Sequence, residues 1–257
     1  MSLGGACRVM ALRGGTPLRR PGLRVWRHVG RESGAAAVSL RVLEVEAGAH
    51  APVLLGRDCE EVLFVLEGRG RVAVDGAVAD VEAETGIFVP PRARLALAAG
   101  AAGPLTLVSA QCPDPGPELR LAPPETGTAA EPSPLAVARV WERASRPSGD
   151  RWYRVLIGEA AGSLAVTQFV GAIPPGRAPD HYHEYEEVLC FLEGQGRLWA
   201  GEASAPIGPG WCAFLPRGQV HCTENTSRGE LRLLGVFHPS GSPAVSYSPE
   251  RPPPATT

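Results

Sequence analysis

The chain of 257 residues contains no lysine, and all 25 of its basic residues are arginine. This absence excludes Schiff-base chemistry, a catalytic lysine and a lysine-dependent phosphate-binding loop. No apolar run approaches the length of about 18 residues that a transmembrane helix needs. The six cysteines include no Cys-x-x-Cys pair, and no secretory signal is evident, so we expect reduced, mostly buried thiols and a cytoplasmic protein.

The sequence has no excess of positive charge that would attract a polyanion. The formal net charge is −2, and 44% of the residues are hydrophobic, as in an ordinary soluble globular protein. We therefore expect no nucleic-acid partner and no membrane partner. Residues 1–31 carry seven arginines and no acid, and glycines interrupt any helical pattern there. We expect residues 1–22 to form a flexible basic arm.

The two halves of the chain resemble each other. EEVLFVLEGRGRV at 60–72 matches EEVLCFLEGQGRL at 186–198, an offset of 126 residues, and similar triplets recur at the same offset at 88–90 and 214–216. A repeat period this long indicates a duplicated domain rather than a solenoid. Arg-Val-Trp at 24–26 also recurs at 139–141, with an offset of 115, which predicts a length difference between the halves.

A proline-rich stretch separates the halves. Residues 113–134 contain seven prolines and no apolar periodicity, which is typical of a semi-extended linker. We expect an N-terminal domain at 23–112, a C-terminal domain at 135–240 and a disordered tail at 241–257.

The segments within each half predict an all-β fold. They are short, rich in apolar and β-branched residues, and separated by glycine and proline. Strands punctuated in this way are typical of a sandwich or a barrel. VLFVL and VLCFL are apolar at consecutive positions, so both faces of these strands should be covered. A second sheet, or another copy of the chain in a homodimer, would cover the outer face.

Three of the six histidines lie close together in the second half. His181, His183 and Glu187 share the parity of a strand, so their side chains would point to one face. His221 follows a predicted turn and would close the cluster from a separate strand. Imidazoles and a carboxylate presented in this way form a site for a divalent metal ion. Glu186 has the opposite parity and is expected to point outward.

These residues resemble the two motifs of the cupin superfamily. GRAPDHYHEYEEVLCFLEG is similar to the first cupin motif, and GWCAFLPRGQVHCTEN is similar to the second. Both motifs together are far more specific than one His-x-His pair. The resemblance implies two tandem cupin jelly-roll barrels, a bicupin, with one divalent ion on His181, His183, Glu187 and His221. Iron, manganese, nickel, copper and zinc all accept this donor set.

The first half lacks this ligand set. At the offset of 126 its residues are Leu55, Arg57, Glu61 and Leu95. We therefore expect a metal ion in the second barrel only. Arg57 and Glu61 share strand parity, so they are expected to form an ion pair inside the first barrel in place of the ion.

Four further residues are candidates for the lining of a substrate pocket. Leu189 and Phe191 continue the inward parity of Glu187 and should form an apolar wall. Gln168 and Tyr185 are polar candidates near its mouth.

A fold of this kind supports many activities, so the function has to be inferred from the site. We expect a metal-dependent enzyme that acts on a small organic molecule, with a dioxygenase-type oxidoreductase as the leading class. Four protein ligands would leave two positions of a six-coordinate ion for oxygen and substrate. Two alternatives remain open. One is a metal-dependent isomerase or lyase, and the other is a non-enzymatic module that binds a small, sugar-like molecule.

Overall fold

The computed structural model describes residues 1–124 and 135–250. These residues form antiparallel strands, with 3-10 turns at Arg31–Ser33, Val140–Glu142 and Glu159–Ala161 and no α-helix in the described ranges. The all-β prediction is confirmed. Within these two ranges, no helical segment has the length and hydropathy that a membrane crossing requires. All six cysteines are free and buried, as expected.

Two sheets enclose the first barrel. In chain order the strands up to Arg139 are β1 Ser2–Gly4, β2 Cys7–Ala11, β3 Leu18–Arg20, β4 Leu23–Val29, β5 Ser39–Val45, β6 Val53–Leu55, β7 Glu60–Glu67, β8 Arg69–Val74, β9 Ala77–Glu82, β10 Thr85–Val89, β11 Arg94–Ala99, β12 Leu105–Cys112, β13 Leu121–Ala122 and β14 Val137–Arg139. One sheet has the order β14-β10-β7-β12-β5-β4-β3, and the other has the order β13-β6-β11-β8-β9.

The second barrel repeats this arrangement. Its strands are β15 Arg146–Ser148, β16 Arg151–Ile157, β17 Thr167–Ile173, β18 Gly176–Arg177, β19 Glu186–Glu193, β20 Gly196–Ala200, β21 Ala203–Ile207, β22 Trp211–Leu215, β23 Cys222–Asn225 and β24 Leu231–His238. The larger sheet has the order β1-β2-β22-β19-β24-β17-β16-β15, and the smaller one has the order β18-β23-β20-β21.

Each barrel lends a strand to the other. Strand β2 pairs with β22 of the second barrel, with Val9 opposite Ala213. Strand β14, which precedes the second barrel, pairs in turn with β10 of the first, with Val137 opposite Ile87. The prediction of a flexible arm at residues 1–22 is therefore wrong. The alternating residues Cys7 and Val9 are fully buried, so the apolar face of β2 holds this segment in the second barrel.

The outer faces of the two barrels pack against each other. Val62 and Phe64 on β7 share one buried cluster with Val188 and Cys190 on β19. The intervening residues of both strands point inward, Leu63 and Val65 into the first barrel and Leu189 and Phe191 into the second. The prediction that both faces of these strands are covered is confirmed. The cover is the other barrel of the same chain, so these faces do not require a second copy.

Two equivalent glutamates fasten the barrels together. Glu186 accepts hydrogen bonds from the backbone N–H groups of Ala36, Ala37 and Val38 in the first half. Glu60, 126 positions earlier, accepts them from the backbone of Leu164 and Ala165 in the second half. The outward orientation predicted for Glu186 is confirmed. Its carboxylate satisfies three consecutive backbone donors at the contact between the barrels.

The start of the predicted linker is ordered. The Asp114 carboxylate accepts bonds from the Arg27 side chain at 2.8 Å and from the Arg31 backbone at 2.9 Å. Leu121 and Ala122 add strand β13 to the edge of β6. The prediction of a semi-extended linker is therefore wrong for residues 113–124, because ion pairing and strand pairing attach them to the first barrel. Residues 125–134 lie outside the described part of the chain.

Strand pairing also corrects one repeat assignment. Arg24 lies opposite Glu44 in the first barrel, and Trp152 lies opposite Ala172 at the equivalent place in the second. The counterpart of β4 is therefore β16, with an offset of 128 rather than 115. The second Arg-Val-Trp begins at the end of β14, the exchanged strand, and its similarity to residues 24–26 does not reflect equivalent positions.

Candidate metal centre

Three histidines converge at one end of the second barrel. His181 and His221 form an isolated antiparallel bridge, with backbone N–H···O distances of 2.9 and 2.8 Å in the two directions. His183 lies two residues further along the same segment, so its side chain points to the same face as that of His181. One ring nitrogen from each histidine lies within 4.8 Å of the others, and this group could hold one metal ion.

Backbone carbonyls orient all three imidazole rings. The Nδ1 atoms of His181, His183 and His221 lie 3.0, 2.9 and 2.8 Å from the carbonyl oxygens of Pro179, Val245 and Gln219. A carbonyl oxygen can only accept, so each Nδ1 carries the proton and donates it. The neutral ring then presents Nε2 as its free ligand atom. This is the outer contact that metal-binding histidines commonly make.

Burial keeps the histidines neutral. Desolvation is the largest cause that lowers the pKa of His183 to about 4 and that of His221 to about 3, and the neighbouring histidines add to the effect. The pKa of His181 is also lowered, again mainly by burial. A metal ligand has to be unprotonated, so these shifts prepare the group for an ion at neutral pH.

Glu187 lies in the same cavity, but its carboxylate is not one of the converging ligand atoms. The residue is 4% exposed, and its carboxylate accepts no hydrogen bond from any residue in the described ranges. Burial raises the pKa of Glu187 to about 8. Three neutral imidazoles beside an unpaired, buried carboxyl group fit a divalent cation, which would supply the missing charge.

A row of aromatic rings packs against the histidine cluster. The Tyr185 ring stacks on His183 at a centroid distance of 4.4 Å and on Phe237 at 4.2 Å. Phe169 packs edge-on against Phe237 at 5.9 Å. A Cβ atom at Gly235 would overlap the Phe169 ring and lie 3.2 Å from Glu187 Oε1. The glycine therefore leaves room for both the ring and the carboxylate.

A cavity of about 110 Å³ opens beside the cluster. Its wall is mainly apolar, with Phe169, Leu189 and Leu233 on the barrel side. Arg151 lies in the lining, and its charge contributes to the lowered pKa of all three histidines. A concave space that combines apolar walls with converging polar groups is the usual form of a small-molecule site.

The segment after the last strand covers this cavity. Tyr247 exchanges two backbone hydrogen bonds of 2.9 Å with Tyr182, and Val245 supplies the carbonyl that orients His183. Pro243, Ala244 and Ser246 complete the lining. The prediction of a disordered tail is therefore wrong for residues 241–250, because backbone bonds attach them to the site. Residues 251–257 lie outside the described part of the chain.

The predicted pocket residues divide into two groups. Leu189 and Tyr185 line the cavity. Phe191 is buried in the core of the second barrel but does not line the cavity. Gln168 turns away from it, and its side-chain amide donates to the Leu63 carbonyl of the first barrel at 3.2 Å. Its parity on β17 therefore places it at the contact between the barrels.

Sequence analysis missed Arg151, Tyr153 and Phe169, which all line the cavity. They lie on strands β16 and β17, upstream of both motifs. Alternation within RWYRVLI places Arg151 and Tyr153 on one face, but the inward direction of that face depends on strand pairing. No local signal in the sequence supplies that register.

The first barrel has no corresponding histidines, and its polar residues pair differently from the prediction. Glu61 is buried and bonds to Arg41, not to Arg57. Arg57 instead bonds to Glu118 at 3.3 Å. The predicted Arg57–Glu61 ion pair is therefore wrong, because Arg41 on β5 reaches Glu61 and Arg57 pairs with the exposed Glu118 instead.

Comparisons with known proteins agree with this architecture. The Cupin domain family model matches residues 169–237, which carry the histidine cluster and most of the second barrel. Two structures of Bacillus subtilis oxalate decarboxylase variants cover 94% of this chain and 79% of theirs, with TM-scores of 0.74 and 0.75 and 12% and 13% identity. The chain has the bicupin fold.

A sequence relative of this chain matches it over a short region only. An uncharacterized protein of Aquifex aeolicus is 32% identical over 75 residues, which are 29% of this chain and 61% of that protein. Another similar oxalate decarboxylase structure comes from a study of the Mn(II) centres of that Bacillus subtilis enzyme, with a TM-score of 0.73 and 13% identity. At this identity the likeness shows a shared fold, and the activity of the bicupin has to be argued from its own site.

Proposed function

We propose that this bicupin is a metal-dependent dioxygenase that acts on a small organic molecule in the cavity beside His181, His183 and His221. The observation that carries the proposal is the convergence of three neutral imidazoles on a small cavity with apolar walls and a few cationic and hydroxyl groups. When bound, a redox-active ion such as iron or manganese would supply neighbouring positions for a chelating substrate and for oxygen.

All six cysteines are free and buried, which supports a cytoplasmic location.

The residues of the chain have separable tasks in this proposal. The histidines hold the ion through Nε2, and the carbonyl of Val245 keeps the His183 ring in place. Phe169 and Leu189 exclude water from the bound substrate. Exclusion of water limits side reactions of reactive species, which matters more for oxygen chemistry than for hydrolysis.

Oxygen uptake tests this proposal. The iron, manganese, nickel and copper forms are each supplied with diketones, catechols, flavonols and thiols, and oxygen consumption is recorded. We expect uptake with at least one pair, and an iron–nitrosyl signal when the anaerobic Fe(II) form meets nitric oxide. His221→Ala should abolish turnover, whereas Tyr185→Phe, which keeps the stacked ring, should retain most of it. No uptake with any form would refute the dioxygenase proposal.

One observation favours a redox-neutral lyase or isomerase as the second candidate. The carboxyl group of Glu187 is buried in the lining of the cavity, and burial raises its pKa to about 8 in the metal-free protein. A group in this state can act as a general acid and then as a base. Substrate turnover without oxygen uptake, lost in Glu187→Gln protein that still contains metal, would support this candidate. Metal-dependent ligand binding without any turnover would indicate a binding module instead.

A further inference from the structure

One cationic side chain lines the cavity without a strong partner. Arg151 begins strand β16, and its side chain is 27% exposed. Its guanidinium donates no hydrogen bond to any residue of the described ranges. The nearest carboxylate is Asp150 Oδ1 at 3.9 Å, on a side chain that is 79% exposed. Such a surface pair contributes little, so the donors of Arg151 remain available.

The charge of the cavity favours an anion. Of the described residues that line it, Glu187 is the only acid. A divalent ion at the histidines would add two positive charges to that of Arg151, which one carboxylate does not neutralise. Tyr153 follows on the same face of β16, and its hydroxyl also bonds to no residue of the described ranges. Arg151 and Tyr153 therefore present unpaired donors beside the cluster.

The first barrel shows what these two positions hold where no histidine cluster exists. By strand pairing, Leu23 and Val25 are the counterparts of Arg151 and Tyr153. Both are buried in the apolar core of the first barrel. The barrel architecture thus accepts aliphatic side chains here, and the polar pair occurs in the barrel that has the metal-binding group.

We propose that the substrate of this bicupin carries a carboxylate, and that Arg151 binds it through the paired N–H groups of its guanidinium, with the Tyr153 hydroxyl as a further donor. This inference rests on the proposed function, because it names the substrate class of the same site. A guanidinium matches a carboxylate in a planar, two-bond geometry that an ammonium or an amide does not reproduce. The remainder of a small substrate then lies towards the histidines, across the cavity.

The proposal is tested by changing the charge of the ligand and the charge of residue 151 separately and together, and by comparing the binding affinities. Glycolate and its neutral analogue glycolamide are titrated into Mn(II)-loaded wild-type, Arg151→Gln and Arg151→Lys proteins, with calorimetry for tight binding and NMR for weak binding. Arg146→Gln is the matched control, since Arg146 is an exposed arginine on the neighbouring strand β15 and does not line the cavity. Metal content and melting temperature are measured for every variant.

We expect Arg151→Gln to weaken glycolate binding by about 10-fold to 100-fold and to leave glycolamide binding unchanged. Arg151→Lys should fall between wild type and Arg151→Gln, and Arg146→Gln should match wild type. A glycolate-to-glycolamide ratio that is the same in wild-type and Arg151→Gln proteins overturns the inference, because the preference for the anion would then come from the metal alone.

Different measurements would show that the proposed function, rather than the role of Arg151, is wrong. A protein that takes up no metal, or that consumes no oxygen, counts against the proposed function. The same titrations on metal-free protein still decide the role of Arg151, since its guanidinium does not depend on the ion. Loss of glycolate affinity in Arg151→Gln supports the inference there, and equal affinity overturns it.

Discussion

Glu187 occupies the same position in the second barrel as Glu61 in the first, but only Glu61 is paired. Glu61 accepts bonds from Arg41 at 2.7 Å, Ser109 at 2.6 Å and Gln111 at 3.0 Å. By strand pairing, the counterparts of these donors near Glu187 are Phe169, Gly235 and Phe237.

None of these counterparts has a side-chain donor. In the first barrel, the buried guanidinium of Arg41 is the partner that the buried carboxylate of Glu61 needs. The second barrel leaves its carboxylate without one. This contrast supports a cation site in the second barrel only.

The unpaired Glu187 predicts a pH dependence for the metal-free protein. Its folded pKa of about 8 exceeds the ordinary value of 4.5, so the folded state retains a proton that the unfolded state has lost. Its contribution to stability is therefore lost as the pH rises towards 8. The histidines have lowered pKa values, so their effect on stability has the opposite sign. Their contribution is lost only as the pH falls below the ordinary histidine pKa of 6.5.

Between pH 6.5 and 8 we therefore expect the free energy of unfolding to fall by about 2 kcal/mol. Urea denaturation at a series of pH values measures this change. Glu187→Gln should remove the fall, whereas Glu186→Gln, on the neighbouring outward side chain, should retain it. A slope that persists in Glu187→Gln protein would contradict the prediction.

We predict one metal ion per chain. Elemental analysis of protein without a histidine tag should give a stoichiometry of one, and His181→Ala/His183→Ala protein should contain none. Because metal binds only the native state, saturation at 100 times Kd should raise the free energy of unfolding by about 2.7 kcal/mol. Two ions per chain, or unchanged metal content in the double variant, would show that the ion binds elsewhere.

The C-terminal segment should strengthen metal binding. Removal of residues 242–257 deletes the Val245 carbonyl, so the Nδ1–H group of His183 loses its acceptor. Loss of such an outer contact typically costs about 10-fold to 100-fold in metal affinity. Competition with a chelator measures the change. Removal of residues 251–257 alone is the control and should leave the affinity at the wild-type value, and equal affinities for both truncations would exclude this role.

The exchanged strand β2 should be essential for the stability of the second barrel. Val9 is fully buried in the core of that barrel, so Val9→Asp would place an unpaired charge there. We expect a loss of about 3 kcal/mol or more in chemical denaturation. Arg8→Gln, at the adjacent position, should change stability by less than about 0.5 kcal/mol. If both variants were equally stable, residues 7–11 would not contribute to the second barrel, as expected of a flexible arm.

Local patterns in the sequence determined the fold class and most of the metal centre. Strand parity placed His181 and His183 on one face and turned Glu186 outward, because successive side chains of a strand alternate between its faces. The repeat at an offset of 126 gave the two barrels, and the second motif added His221. The inferences from parity use residues within one segment, where the period of two is fixed by backbone geometry. The repeat and the second motif are recognised from residue identities alone.

Tertiary structure decided everything that depends on strand pairing between distant segments. The guanidinium of Arg41, and not that of Arg57, meets Glu61 because β5 lies next to β12 and β12 next to β7. Strand β2 crosses to the second barrel, and the Val245 carbonyl reaches His183 across 62 residues of chain. The pairing of distant strands depends on register and chain crossing, which arise only when the whole apolar surface of both barrels is buried together.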